Sequence, residues 1–482
     1  MANADRLTGL DSSFLHLERD SVHMHVAGCA IFSGSAPTHR ELLEAIQSRL
    51  HLVPRYRQRL AFVPFGQGRP VWVDDPHFNL AYHVRHTALP DPGSEEQLMR
   101  MTGRVFSQAL DRSRPLWEVW LVEGLSGSRF ALLSKTHHAL VDGISGVDIM
   151  TVLFDTSPEP MPVAPPDQEW VARPLPSGAQ LLADALLERA TVPAEMARGL
   201  RAALRGPRAV AGQAARSVGA LGEFALSGLQ PAPSTLFNVP IGPHRRFTWV
   251  QGDLGEFKAV KNALSGTVND VVLTVVTGAL RRYMRRHGEP TDGVVLRAMV
   301  PVSVRADVER GALGNRVAAM WAPLPVGIDD PVKRLRSISA SMRELKASGQ
   351  AVGAQVLTSL SGFAPPTIMS QAARLQARQR LFNLVVTNVP GPQFPLYLLG
   401  RELEAIFPMV PLAKNTALGI AIMSYHGQLN FGLSGDYDAL ADLDVLADDL
   451  RASVDEIVAA ANGGRGDGSA RNGRSRAARA RH

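Results

Sequence analysis

An α/β protein of two domains is what this sequence predicts, and three observations predict it. Apolar runs of strand length alternate with stretches of helical period along most of the chain. A proline-rich segment, Ser157 to Pro176 with Pro165-Pro166 inside it, divides that pattern in two. The length of 482 residues exceeds what one core usually serves. Hydrophobic residues at 45% and charged residues at 20% are ordinary for a globular protein, which excludes wholesale disorder, a collagen-like fibre and a disulfide scaffold.

The first domain is placed at residues 1–157. His25–Phe32 has the composition of a strand, and Glu41–Leu50 that of a helix with Leu42, Leu43, Ile46 and Leu50 on one side. Arg55, Arg57 and Arg59 lead through Pro64 and Pro70 into short strands around Val71–Val73. Gln97–Ala109 reads as a helix, and Trp117–Glu123 and Phe130–Lys135 as strands flanking the Gly124–Ser128 turn. Residues 158–234 form a linker and basic connector: Leu181, Leu182, Ala185 and Leu186 make a helical stripe, followed by Arg189, Arg198, Arg201, Arg205 and Arg208. Such a stretch reads either as a solvated connector or as a helix lying on an anionic membrane.

The second domain is placed at residues 235–460. Its strands are expected at Arg246–Leu254, Val294–Val302, Leu384–Thr387, Ala417–Ser424 and Gln428–Leu433, and its helices at Asn269–Arg286 and Leu440–Ala461. The tail, 461–482, holds six arginines and one acid, Asp467, so it carries +5 of the net +6. It has too few apolar groups to order itself and is expected to be solvated, with no nucleic-acid partner. Cys29 is the only cysteine, so no intrachain disulfide forms. No run of about 18–20 apolar residues and no secretory signal is seen. A cytoplasmic protein is the expectation, with contact at the inner face of a membrane left open.

The sharpest local feature is Thr136-His137-His138-Ala139-Leu140-Val141-Asp142-Gly143, after an apolar strand and before a helix-like stretch. Two adjacent histidines at a strand end set at least one imidazole where a substrate can meet it, and histidine is the natural proton acceptor near neutral pH. The pairs His23/His25 and His83/His86 are read as structural. Adjacent histidines point apart and no HExxH or cysteine cluster completes a site, so no metal is expected. A GxSxG elbow, a P-loop and a GxGxxG before a helix are all missing, which leaves hydrolase-triad and nucleotide chemistry unsupported.

HHxxxDG resembles the signature of the CoA-dependent acyltransferase superfamily. Further segments narrow the likeness: Leu10-Asp11-Ser12-Ser13-Phe14-Leu15, Arg112-Ser113-Arg114-Pro115-Leu116-Trp117-Glu118, Asn269-Asp270, Pro301-Val302-Ser303-Val304-Arg305, Gly314-Asn315 and Thr387-Asn388-Val389-Pro390-Gly391-Pro392. In this order, from about Leu7 to Ala460, they resemble the bacterial wax ester synthase/diacylglycerol acyltransferase family. The DFGWG motif of plant HxxxD acyltransferases is absent.

The resemblance implies two chloramphenicol acetyltransferase-like domains, each a mixed sheet with helices, and a tunnel at their interface. It implies transfer of a fatty acyl group from acyl-CoA to diacylglycerol, or to a long-chain alcohol to give a wax ester. Partners would be long-chain acyl-CoA, the lipid acceptor and a membrane or lipid-droplet surface, with acyl-CoA as substrate and no cofactor. His138 matches the family's base, with His137, Asp142 and Gly143 in support. Asp142 tends to pair with an arginine; Arg305 is either that partner or the cap of a strand at the surface. Asn269 and Asp270 serve the oxyanion or cap the helix. Pro115, Leu116, Trp117, Asn388, Pro390 and Gly391 are placed along the channel, with Gly391 expected to adopt unusual backbone angles. A same-fold enzyme acting on a non-lipid or polyketide acceptor, or a non-catalytic lipid-binding member, is the competing reading.

Overall fold

The structure, a computed structural model, describes residues 6–141, 149–188, 231–303, 317–347 and 381–479. The first half contains α1 (Gly9–Leu17), β1 (His25–Ser33), α2 (His39–Arg49), β2 (Gln58–Ala61), β3 (Val71–Asp74), α3 (Leu80–His83), β4 (Val84–Ala88), α4 (Glu95–Phe106), β5 (Trp117–Leu125), β6 (Arg129–His137), α5 (His138–Val141) and α6 (Ile149–Leu153). The main helices begin where side chains satisfy the free N–H groups of the first turn. Thr8/Asp11, Thr38/Glu41 and Ser94/Gln97 each form a reciprocal capping box, at α1, α2 and α4.

The second half contains β7 (Arg245–Asp253), α7 (Leu254–Leu264), α8 (Val268–Arg286), β8 (Leu296–Ser303), β9 (Val317–Leu324), α9 (Pro331–Ala347), β10 (Leu384–Pro390), β11 (Tyr397–Leu398), β12 (Arg401–Met409), β13 (Leu418–Tyr425), β14 (Gln428–Asp436) and α10 (Leu443–Arg479). One mixed sheet runs β7-β14-β13-β10-β8-β9, with β10 parallel to both β13 and β8. One face of it packs on α7, α8 and α10 through Val271, Val275, Leu280, Ile420, Phe431 and Leu450. The α8 helix is buried nearly all round, as its apolar run Val271 to Val276, interrupted only by Thr274, requires.

The other sheet runs β11-β12-β1-β6-β5-β4, so the second half of the chain supplies two strands of the first sheet. This corrects the expected boundary at 235: β12 pairs with β1 antiparallel, Ala27 opposite Met409 and Ile31 opposite Ala405. The physical reason is packing on both sides. Phe407 and Met409 bury into a layer with Cys29, Ile31, Leu133, Phe247 and Trp249, where Trp249 stacks on Phe407 at 4.5 Å. That layer joins the halves, and β12 spans it.

The closing helix also differs from expectation. It runs Leu443–Arg479, so the backbone of the tail is helical where disorder was expected. Residues 178–188 are helical and lay Leu181 and Ala185 on Val63, as the stripe requires. Among the described residues no single helix is long and apolar enough to cross a membrane; α7 with α8 passes by composition, but the pair bends by 100°.

Candidate active site

The β6 strand delivers the histidine pair. Its last residue is His137, and α5 begins at His138. Both backbones are pinned: the His137 N–H donates to the Leu116 carbonyl at 2.9 Å, and the His138 N–H to the Met24 carbonyl at 2.8 Å. The His137 side chain is fully buried. Its Nδ1 accepts the Ala139 N–H at 3.1 Å, which assigns the proton to Nε2, 3.2 Å from the Glu18 carboxylate. Two neighbouring imidazoles therefore have different duties. His137 is locked, whereas the His138 ring is half-buried and stacks on Phe14, centroids 4.2 Å apart.

Glu18 was not singled out in the sequence. It caps the C-terminal end of α1, and its carboxylate accepts from Arg112 Nε at 2.9 Å as well as from His137. Burial pushes the carboxyl up, but the hydrogen bonds from His137 and Arg112, with the Arg112 charge, outweigh it and hold the group at about 2. The sign of the pH effect follows. A carboxyl depressed from 4.5 contributes stability in full above that value and loses it as pH falls towards 2. Acid unfolding followed by circular dichroism should therefore show a stability loss across this interval in the wild type that Glu18→Gln lacks.

The structure places the other sequence-derived residues as follows. Asp142, Gly143 and Arg305 lie outside the described residues, as do Val304, Gly314 and Asn315. Pro115, Leu116 and Trp117 do not line a channel. Leu116 and Trp117 are 0% and 1% exposed, the Trp117 indole donates to the Tyr56 carbonyl at 2.8 Å, and its ring stacks on His83 at 4.7 Å. A large aromatic flanked by apolar neighbours on a central strand is core, and this one supports the histidines from behind through the Leu116 carbonyl.

Asn269 and Asp270 open the second helix of that half, not the first, and neither is its N-cap. That is Thr267, with Asp270 as the capping-box partner whose Oδ2 accepts the Thr267 N–H at 2.9 Å. Asn269 is left to meet Asn388, whose Nδ2 lies 3.4 Å from its Oδ1, so two separate motifs converge on one spot. The loop after Asn388 is held to the β13–β14 turn: the His426 N–H donates to the Pro392 carbonyl at 3.0 Å, and the Gly391 N–H to Ser424 Oγ at 3.3 Å. Pro390 is exposed beside it. Gly391 is not among the positive-φ glycines; it is required because a Cβ there would stand 2.3 Å from the Ser424 carbonyl oxygen.

Cys29 is fully buried, and burial pushes its thiol up to about 12. Alkylation by iodoacetamide at pH 8 should accordingly be negligible in the folded protein and rapid in guanidinium, as read by mass spectrometry. Among the described residues, no group of three His, Cys, Asp or Glu side chains is placed to hold a metal ion.

Comparison with known proteins shows the family. Residues 7–272 match the family model of the wax ester synthase/diacylglycerol acyltransferase catalytic domain, and residues 313–458 that of the WS/DGAT C-terminal domain. The chain belongs to the wax ester synthase/diacylglycerol acyltransferase family. It is therefore a member of an enzyme family; the first family model ends inside α8, at residue 272, and the second begins at residue 313. A probable diacylglycerol O-acyltransferase of Mycobacterium tuberculosis is 34% identical over 459 residues, covering 94% of this chain and 96% of that protein. A second one from the same species is 35% identical over 458 residues, covering 93% and 97%. Among solved structures, the wax ester synthase/diacylglycerol acyltransferase from Marinobacter aquaeolei is 30% identical, with a TM-score of 0.66, over 95% of this chain and 100% of that one. The starter condensation domain of rhizomide synthetase, solved with C8-CoA, shares the fold at 14% identity and TM-score 0.56, over 95% and 94%. The likeness to chloramphenicol acetyltransferase-like domains is thus a property of the observed fold.

Proposed function

We propose that this member transfers a long-chain acyl group from acyl-CoA to the hydroxyl of diacylglycerol, with His138 as general base and no acyl-enzyme. The observation that supports the reading is the difference in burial within the histidine pair: His137 is fully buried, while the His138 ring beside it is only half-buried. His138 takes the acceptor proton as the oxygen attacks the thioester carbonyl, and the tetrahedral oxyanion collapses to expel CoA thiolate. The thiolate then recovers the proton from the imidazolium. Cys29, buried and with a raised thiol, is unsuited to carry the acyl group. Acyl-CoA is a substrate here, and the scheme uses no cofactor or metal.

The acceptor is argued from relatives about 34% identical over nearly their whole length, which are named for diacylglycerol. A long-chain alcohol fits the same chemistry, since only the hydroxyl reacts. Radiolabelled palmitoyl-CoA offered with dioleoylglycerol, hexadecanol or a short alcohol tests this. Label in triacylglycerol is the expected result, wax ester is the second reading, and label in neither overturns both. A tunnel meeting His138 where the halves join belongs to the same proposal, supported by the position of Phe14, which packs against the second core while stacking on His138.

The acceptor partitions into lipid, so the proposal includes peripheral contact with a membrane or lipid droplet on the cytoplasmic side. Support comes from the loop between β2 and β3, where Phe65 is 87% exposed in a left-handed backbone conformation, with Phe62 half-exposed nearby. Residues 178–188 pack on that loop and leave Leu186 and Leu187 exposed. Phe65→Ser should lower sedimentation with anionic vesicles several-fold while leaving turnover of detergent-dispersed diacylglycerol unchanged.

A further inference from the structure

We infer that α1 is a two-point clamp on the histidine pair, with Phe14 and Glu18 as positioning residues for the reaction at His138. The inference rests on the reading of His138 as the base. Phe14 lies in the last turn of α1 and Glu18 is its C-cap, the Glu18 N–H donating to the Phe14 carbonyl at 3.0 Å, so the two residues are held together at one end of the helix. Phe14 meets one imidazole and Glu18 the other. The Phe14 ring lies against His138 at 4.2 Å and 23°, and the Glu18 carboxylate takes the His137 Nε2 proton at 3.2 Å.

Glu18 also reaches His138 by a second route. Its Oε1 accepts the Met24 N–H at 3.4 Å, and the Met24 carbonyl accepts the His138 N–H at 2.8 Å. The two oxygens of one carboxylate thus bear on the side chain of His137 and, through Met24, on the backbone of His138. Fixing the Nε2–H tautomer of His137 frees its Nδ1 to accept the Ala139 N–H, which closes the turn that starts α5 at His138.

The clamp is itself anchored at both ends. The Thr8/Asp11 capping box sets the start of α1. Arg112 sets its end, donating to Glu18 and, through Nη2, to the Leu15 carbonyl at 3.1 Å. The arrangement bears on the two imidazoles. Its product is the placement of an imidazole, and displacement of a reacting group by about 1 Å costs on the order of 10²-fold.

The test is steady-state kinetics on the full chain with palmitoyl-CoA and dioleoylglycerol, alongside thermal unfolding. Glu18→Ala and Phe14→Leu are each expected to lower kcat about 10- to 100-fold with KM for palmitoyl-CoA within about twofold. Glu18→Gln, which still accepts from Arg112, and Phe14→Tyr, which still stacks, should recover most of the rate. In a His138→Ala background neither substitution should lower the residual rate further, because both act through that ring. Wild-type kcat in a folded Glu18→Ala together with Phe14→Leu overturns the clamp, as does an effect confined to KM. Should Glu18→Ala fail to fold, the apolar Phe14→Leu and Phe14→Tyr pair decides alone. The failures are distinguishable: an active His138→Ala removes the base, whereas an inactive His138→Ala with active clamp variants removes only the clamp.

Discussion

His138→Ala is expected to lower acyl transfer about 10²- to 10⁴-fold, the range a positioned general base supplies. The fold should survive the change. His138 is half-buried, and its backbone N–H bond to Met24 is kept by any residue, so the loss is the ring and its stacking on Phe14. A stability cost of no more than about 1 kcal/mol is expected from such a site. His137→Ala should behave in the opposite proportion. It removes a fully buried ring with two hydrogen bonds and takes one donor from the Glu18 carboxylate, so thermal unfolding falls by several degrees along with the rate. Measuring kcat and the unfolding midpoint for both variants separates the two histidines. Equal behaviour would mean the neighbouring rings share one duty.

The contrast between these histidines marks what the sequence could and could not convey. Adjacency on a strand end shows that the two rings diverge, which is geometry local to five residues. Which ring is locked depends on Glu18, whose distance from His137 along the chain is 119 residues. Thr267, Asp270 and the apolar run behind them announce α8, because capping and periodicity are local. The Pro115–Trp117 segment was misplaced on a channel wall because a tryptophan after a proline-leucine pair has no local sign of what covers it. Its covering comes from Tyr56 and His83, on other elements. Asn269 and Asn388 looked like separate features and meet in space across the second sheet.

The strand least legible in the sequence, β12, carries the second large effect. Its burial alternates along Arg401–Met409, so a strand is readable there, but its partner β1 lies some 370 residues earlier and nothing local selects it. What admits β12 is a glycine on the opposing sheet. A Cβ at Gly432 of β14 would stand 1.9 Å from the Pro408 carbonyl oxygen, a backbone atom that no rotamer change removes. Gly432→Val is therefore expected to destabilise by about 3 kcal/mol or more, through backbone displacement of the strand that joins the halves. Gly28→Ala, on β1 itself, supplies the control: its Cβ meets nothing closer than 3.5 Å, so its midpoint should stay near wild type. Because β1 leads from Met24, which bonds His138, a displaced β12 also disturbs the surroundings of His138. Gly432→Val should thus lose activity even below its own melting temperature, and a variant that melts and turns over like wild type would show that β12 does not press on β14.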